Sequence, residues 1–402
     1  MDRRRRWLAA GAVASALAVC AAFAPAAVSA DDRPIERGAV VVRAAGPDAL
    51  EQRASEIVDA MSTRERAASV VMGHIPTTDA ASLSSYMTQT GIGGFILMGA
   101  NIPGDEASLR AITAALTPDP ALPPLIAVDQ EGGDVARLGW DPFPSALALK
   151  NEPAAAAQDA FAGRGALLLR AGIGVNFGIV ADVAPDASSF IYRRALGTTP
   201  QGSAERVTAA VAGEASASLS TLKHFPGHGA APGDSHTLIP ATGMPKAEWE
   251  AADGMPFRAG IAAGAELLMF GHLAFTAVDA APASLSAEWH RIAREELGFD
   301  GVTITDDLGM LEASGVAEYR DPVANAVAAL AAGNDMVLAV MFSTADTAPR
   351  VVDGIVAAVE SGALPAERLQ DAATRVTELR LELAASGRGL VPCGDCAAVG
   401  AG

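Results

Sequence analysis

Three of the six histidines in this 402-residue chain fall between positions 224 and 236, in Lys223-His224-Phe225-Pro226-Gly227-His228-Gly229 and Asp234-Ser235-His236. Imidazoles and carboxylates concentrated in this way can support two chemistries. The first is metal-assisted hydrolysis, with His224, His228, His236 and a carboxylate as ligands. His224 and His228 have i,i+4 spacing, but Pro226 and Gly227 between them break the helix that a zincin-like pair requires. The second is glycoside hydrolysis by double displacement, in which a carboxylate attacks the anomeric carbon while an acid protonates the leaving oxygen. In that chemistry Asp306, of Thr305-Asp306-Asp307, is the nucleophile and His236 the acid/base. Asp234, two residues from His236, orients the imidazole and stabilises its charged form. An imidazole, with an ordinary pKa of about 6.5, shuttles a proton near neutral pH, where a solvated carboxylate does not.

These groups need a scaffold that brings distant segments together. Short apolar runs lie near residues 69–74, 93–98, 125–128, 174–180, 219–223, 266–271, 302–305 and 335–339, separated by helix-length segments. Most lack period-two alternation, the pattern of parallel strands buried on both faces. Eight βα units in about 340 residues predict a single-domain α/β fold, a TIM (β/α)8-type barrel that is irregular at its first two strands. Ser62-Thr63-Arg64-Glu65 fits a capping box, and a helix from about Pro365 to Leu383 closes the domain, set at residues 48–386. Barrel enzymes carry their sites at the C-terminal ends of strands. The polar residues there are Asp129-Gln130-Glu131-Gly132-Gly133 and Arg137 after the third run, the histidine segment after the fifth, His272 after the sixth and Asp306-Asp307 after the seventh. Asp182, after the fourth run, organises the mouth. Asp307, His74, His290 and Trp140 read as structural. His228 braces its loop or touches sugar, and His272 lines the pocket or sits in the core.

The formal net charge is −18, from 29 Lys+Arg against 47 Asp+Glu, which excludes nucleic-acid binding through bulk electrostatics. Residues 1–30 read as an export signal: Arg3 to Arg6 form a basic start, Trp7–Phe23 is an uncharged Ala-rich stretch, and Val28-Ser29-Ala30 supplies small residues before Asp31. Leu17-Ala18-Val19-Cys20 loosely resembles a lipobox, so the one membrane connection considered is a lipid anchor at Cys20. The expected location is secreted or cell-surface. Residues 31–47 form a linker and 387–402 a tail, where Cys393 and Cys396 suit a local disulfide outside the cytoplasm.

The run K-H-F-P-G-H-G followed by G-D-S-H resembles the signature of glycoside hydrolase family 3, in its single-domain β-N-acetylhexosaminidase branch. The similarity extends to D-Q-E-G-G at 129–133, V-N-F at 175–177, P-F-R-A-G-I at 256–261, P-A-S-L-S at 282–286 and L-G-F-D-G-V-T-I-T-D-D-L-G-M at 297–310. The resemblance implies Asp306, rather than Asp307, as the nucleophile, and Asp234 with His236 as the dyad that replaces a carboxylate acid/base. It implies that Lys223 and His224 hold sugar hydroxyls, that Asp129 fixes hydroxyls on the far side of the ring, and that Arg137 and Arg194 contact substrate. Three departures stand beside these matches. Asp134 occupies a position where the family usually has Arg, Tyr192-Arg193 replaces Gly-Asp, and Leu196 replaces Phe.

The expected function is therefore a retaining exo-glycosidase, without cofactor or metal, that removes terminal non-reducing β-linked N-acetylglucosamine from a glycan or a peptidoglycan-derived muropeptide. Rival readings are a family 3 β-glucosidase, an N-acetylglucosaminide phosphorylase, a metal-dependent TIM-barrel hydrolase and a catalytically inactive wall-binding protein.

Overall fold

The computed structural model describes residues 47–389. The export segment, Cys20, the linker up to residue 46 and the tail with Cys393 and Cys396 lie outside the described residues. Eight parallel strands close into a barrel: β1 (Val71–Gly73), β2 (Gly94–Leu97), β3 (Leu125–Val128), β4 (Val175–Val180), β5 (Leu219–Phe225), β6 (Leu267–Phe270), β7 (Val302–Asp307) and β8 (Met336–Leu338). Each strand pairs with its neighbours in sequence, and β1 pairs with β8 to close the ring. All eight apolar runs of the sequence are strands of this ring. The first two are regular: β1 is short, but it pairs in register on both sides, with Val71 opposite Val337 and Met72 opposite Gly94.

The runs lack polar alternation because both faces of each strand are buried. One set of alternate residues, including Met72, Ile96, Leu125, Ala127, Val175, Phe177, Met269, Ile304 and Leu338, fills the barrel interior. The intervening residues pack outward against helices, as Phe95, Leu97, Ile126 and Val128 do in one half and Leu222, Leu268 and Phe270 in the other. Val376, Leu379 and Leu383 of the closing helix, Ala366–Ser386, join the interior cluster and seal the end of the barrel away from the cleft described below. Ser62 caps the helix Thr63–Ser69: its backbone N–H donates to Glu65 at 2.7 Å, and its hydroxyl accepts from the Glu65 N–H.

A buried carboxylate ties this sealed end together. Asp335, fully buried just before β8, accepts from the Thr303 N–H of β7 at 3.0 Å and pairs with Arg368 at 2.6 Å, Arg375 at 3.3 Å and Arg294. Burial pushes its pKa up, but the three guanidinium groups and the Thr303 N–H outweigh that and hold it low. Removing one partner of a buried ion network leaves the others uncompensated. Asp335→Asn is expected to lower the unfolding free energy by about 3–5 kcal/mol, measured by urea denaturation. A loss below about 1 kcal/mol would place the closure energy elsewhere.

Candidate active site

At the opposite end, the residues that follow β3, β5 and β7 converge on one cleft. It is lined by Asp129, Arg137, Arg194, Lys223, His224, His236 and Asp306, over a floor that includes Met269, Met310 and Met341. Its enclosed volume is about 190 Å³. Of the eight residues singled out in the sequence, only Asp234 does not line it, and Asp234 is bonded to His236, which does.

The wall between β3 and β5 is a network of charges. The Lys223 ammonium, almost fully buried, donates to Asp129 at 2.9 Å and lies 2.7 Å from Glu131. Arg137 reaches the second oxygen of Asp129 at 3.1 Å. Arg194 grips Glu131 through two bonds of 2.8 and 2.7 Å. Burial works against the Asp129 carboxylate, but Lys223 and Arg137 more than offset it and hold its pKa at about 2. Glu131 is lowered in the same way, with burial opposed by Lys223 and Arg194.

Asp129 and Glu131 sit at the start of a hairpin that the buried Gln130 holds in shape. Its side-chain oxygen accepts from the Arg137 and Leu138 N–H groups at 2.9 and 3.0 Å, and its amide donates to Asp141 at 2.8 Å. The turn needs Gly132 and Gly133, at φ 86° and 73°. A Cβ on Gly132 would come within 2.0 Å of the buried Arg164 guanidinium.

The four histidines nearest the cleft have different environments. His224 Nδ1 lies 2.8 Å from the buried Asp182 carboxylate, and its Nε2 lies 3.2 Å from an Arg194 nitrogen. Arginine only donates, so Nε2 accepts and Nδ1–H donates to Asp182. Burial, reinforced by Arg194, lowers the His224 pKa well below its ordinary value and keeps the ring neutral. Asp182 also accepts from the His228 N–H at 2.6 Å, while His228 Nε2 bonds Ser235 at 3.0 Å. His228 thus braces the loop. His272, fully buried, has Nε2 at 2.8 Å from the Asp307 carbonyl and Nδ1 at 2.7 Å from the Ser284 hydroxyl. A carbonyl only accepts, so His272 is the Nε2–H tautomer. His236 differs: its side chain is 50% exposed, with Nδ1 bonded to Asp234 at 2.7 Å. Burial pushes Asp234 up, but the His236 backbone N–H and ring outweigh it and hold the carboxyl low. Among the described residues no three His, Cys, Asp or Glu side chains are grouped to hold a metal ion. His224, His228 and His236 each take a separate partner instead.

The two adjacent aspartates of β7 also diverge. Both oxygens of Asp307 are occupied by backbone donors, Gly309 at 3.0 Å, Val340 at 2.9 Å and Met341 at 2.8 Å, so it shapes the β7 and β8 loops. Burial raises its pKa to about 6. Among the described residues, Asp306 accepts only the Asp307 N–H, at 2.8 Å, and it borders the cleft. Burial opposes its ionisation, while that N–H and the Lys223 ammonium favour the charged form, and its pKa lies below the usual carboxylate value.

A family model described as the glycosyl hydrolase family 3 N terminal domain matches residues 62–379. The chain belongs to glycoside hydrolase family 3. It is 35% identical over 261 residues to a β-hexosaminidase of Methylococcus capsulatus, covering 63% of this chain and 77% of that one. A solved family 3 β-N-acetylglucosaminidase from Paenibacillus sp. superposes with a TM-score of 0.75 at 31% identity, covering 82% of this chain. The present chain spans 63% of that longer protein. A β-N-acetylhexosaminidase from Beutenbergia cavernae superposes with a TM-score of 0.70 at 29% identity, over 80% of this chain and 98% of that one.

Within this family 3 enzyme, two of the three departures seen in the sequence meet in space. Arg193 grips Asp134 at the mouth, with Nη2 at 2.9 Å from Oδ1. Where the resemblance leads one to expect Arg and Asp, these two positions hold Asp and Arg. Both side chains are exposed, so the pairing contributes little to stability. Lys150 donates to the Tyr192 and Ala195 carbonyls on either side of Arg193 and Arg194, fixing that loop from below.

The sequence reading passed over Glu131, although it lies inside D-Q-E-G-G, and did not assign Gln130, Asn176 or Glu214. Asn176 of β4 bonds the Gln130 backbone in both directions and donates to the fully buried Glu214 at 2.5 Å. Burial pushes Glu214 up to about 8. Its pKa is thus higher folded than unfolded, so its contribution to stability is complete below the ordinary carboxyl range and is lost as pH rises towards 8. Asp182 at about 6 and Asp253 at about 7, both raised by burial, act in the same direction. The unfolding free energy should fall between pH 6.5 and 8, and Glu214→Gln, which mimics the protonated acid, should flatten that fall. Equal slopes for variant and wild type in urea titrations would show that Glu214 ionises freely in the fold.

Proposed function

We propose that this enzyme hydrolyses terminal non-reducing β-linked N-acetylglucosamine with retention of configuration. Asp306 acts as nucleophile, and the Asp234–His236 pair as acid/base. The observation that carries this reading is the presence at one cleft of an ionised, lightly bonded Asp306 and a half-exposed imidazole anchored through Nδ1 to a carboxylate. The β-hexosaminidase and β-N-acetylglucosaminidase names of the relatives support the choice of sugar.

In the first step, His236 as imidazolium gives its Nε2 proton to the glycosidic oxygen while Asp306 attacks the anomeric carbon. The C–O bond to the leaving group breaks and a glycosyl ester forms on Asp306. Asp234 stabilises the cationic ring. In the second step, neutral His236 takes a proton from water, which attacks the same carbon and releases Asp306. Asp129, Lys223 and Arg194 hold sugar hydroxyls, and His224 does so when a hydroxyl replaces Arg194 as the donor to its Nε2. Two of the three ammonium hydrogens of Lys223 go to Asp129 and Glu131, leaving one for substrate. Residues 1–30 direct the enzyme out of the cytoplasm, where muropeptide fragments supply the substrate.

The test is turnover of matched aryl β-N-acetylglucosaminide and aryl β-glucoside in phosphate-free buffer. The acetamido substrate should be favoured, and Asp306→Ala should lose about 10⁴-fold or more in kcat. Preference for the glucoside would move the enzyme to another branch of the family. Acceleration by added phosphate, with sugar phosphate as product, would make it a phosphorylase. His236→Ala should cost about 10²–10⁴-fold on an unactivated glycoside, and far less on a dinitrophenyl leaving group that needs no proton. Equal losses on both would remove the acid role from His236.

A further inference from the structure

Among the described residues, the large apolar side chains that are exposed are Phe190, Leu238, Val316 and Phe342. All four lie on connections that follow the C-terminal ends of strands, after β4, β5, β7 and β8 respectively. None of the four lines the cleft itself, but apolar surface left in water on the connections after these strands is what a larger ligand could cover. Leu238 shares the dyad loop, its N–H bonded like that of Thr237 to the Asp234 carbonyl. Phe342 is the one non-glycine described residue with a positive φ, 61°, and is 66% exposed. A bulky aromatic in that region is a rare conformation. Here it follows Met341, whose N–H is pinned by Asp307.

Phe190 is the member of this set closest to the proposed chemistry. Its ring centroid lies 6.0 Å from the His236 ring, edge to face, and 5.3 Å from the His228 ring, yet 40% of the residue remains exposed. We infer that Phe190 is a specificity-determining residue, a stacking surface for the first ring of the leaving group; this rests on the acid/base role proposed for His236. The geometry requires little else. A proton passing from His236 to the glycosidic oxygen places that oxygen at hydrogen-bond distance from the imidazole. The ring bonded to the oxygen then falls near the aromatic ring packed edge to face with that imidazole. A pyranose or an aryl group offers the apolar face that such a surface takes, whereas a small leaving group offers none. The preferred substrate class is thus an N-acetylglucosaminide whose leaving group begins with a six-membered ring.

The experiment compares two substrates that need little protonation, so that any effect of Phe190 on His236 is silent. One is dinitrophenyl β-N-acetylglucosaminide, whose leaving group is a ring; the other is β-N-acetylglucosaminyl fluoride, whose leaving group is not. Phe190→Ala should lower the ratio of kcat/KM for the aryl substrate over the fluoride by about tenfold, and Phe190→Trp should restore it. An unchanged ratio, with loss appearing only on an unactivated methyl glycoside, overturns the proposal and makes Phe190 a support for His236 alone. Equal loss on both substrates overturns it as well. Failure of the parent reading is distinguishable, since His236→Ala would then lose equally on the methyl glycoside and on the dinitrophenyl substrate.

Discussion

Lys223 is a nearly fully buried ammonium held between two carboxylates, and the shape of the cleft depends on that arrangement. Isolating a charge from water costs several kcal/mol unless partners surround it. Asp129 and Glu131 supply them, and because those residues follow β3 while Lys223 ends β5, the ion pairs also set the spacing of two strand ends that are not neighbours in the barrel. Arg194 and Arg137 complete the cluster from two different loops. With Asp306 included, three cations face three carboxylates, so the site is close to neutral while remaining dense in donors and acceptors. That condition suits an uncharged sugar, and it shows why a chain of net charge −18 need not repel its substrate.

The same barrel gives one residue type several roles by varying what surrounds it. His224 and His272 are buried, neutral and locked in opposite tautomers, one by arginine and carboxylate, the other by carbonyl and hydroxyl. His228 is spent on bracing its loop. His236 alone of the four stands half in solvent on a carboxylate anchor. The paired aspartates divide similarly: three N–H donors commit Asp307 to structure, whereas Asp306 accepts one N–H and borders the cleft.

The barrel was legible in the sequence because strands buried on both faces need unbroken apolar runs, and all eight runs are strands. The histidine cluster was legible because its residues are close in the chain. Glu131 was not, since a carboxylate two residues past Asp129 on a hairpin can point either way, and only Lys223 and Arg194, distant in sequence, draw it inward. Asn176 and Glu214 lie beneath the site and carry no local signature beyond their neighbours. Asp134 and Arg193 read as two separate departures, and only the fold shows them as one ion pair.

The central claim is that Asp306 carries the sugar between the two steps. Peptide mapping by mass spectrometry, after treatment with 5-fluoro-β-N-acetylglucosaminyl fluoride to slow release of the intermediate, addresses it directly. One fluorinated sugar residue should be bound to the peptide containing Asp306, and none should be bound in Asp306→Ala. A label on another carboxylate would contradict the assignment. So would retaining turnover with no covalent adduct, the pattern expected if the substrate's own acetamido oxygen were the nucleophile.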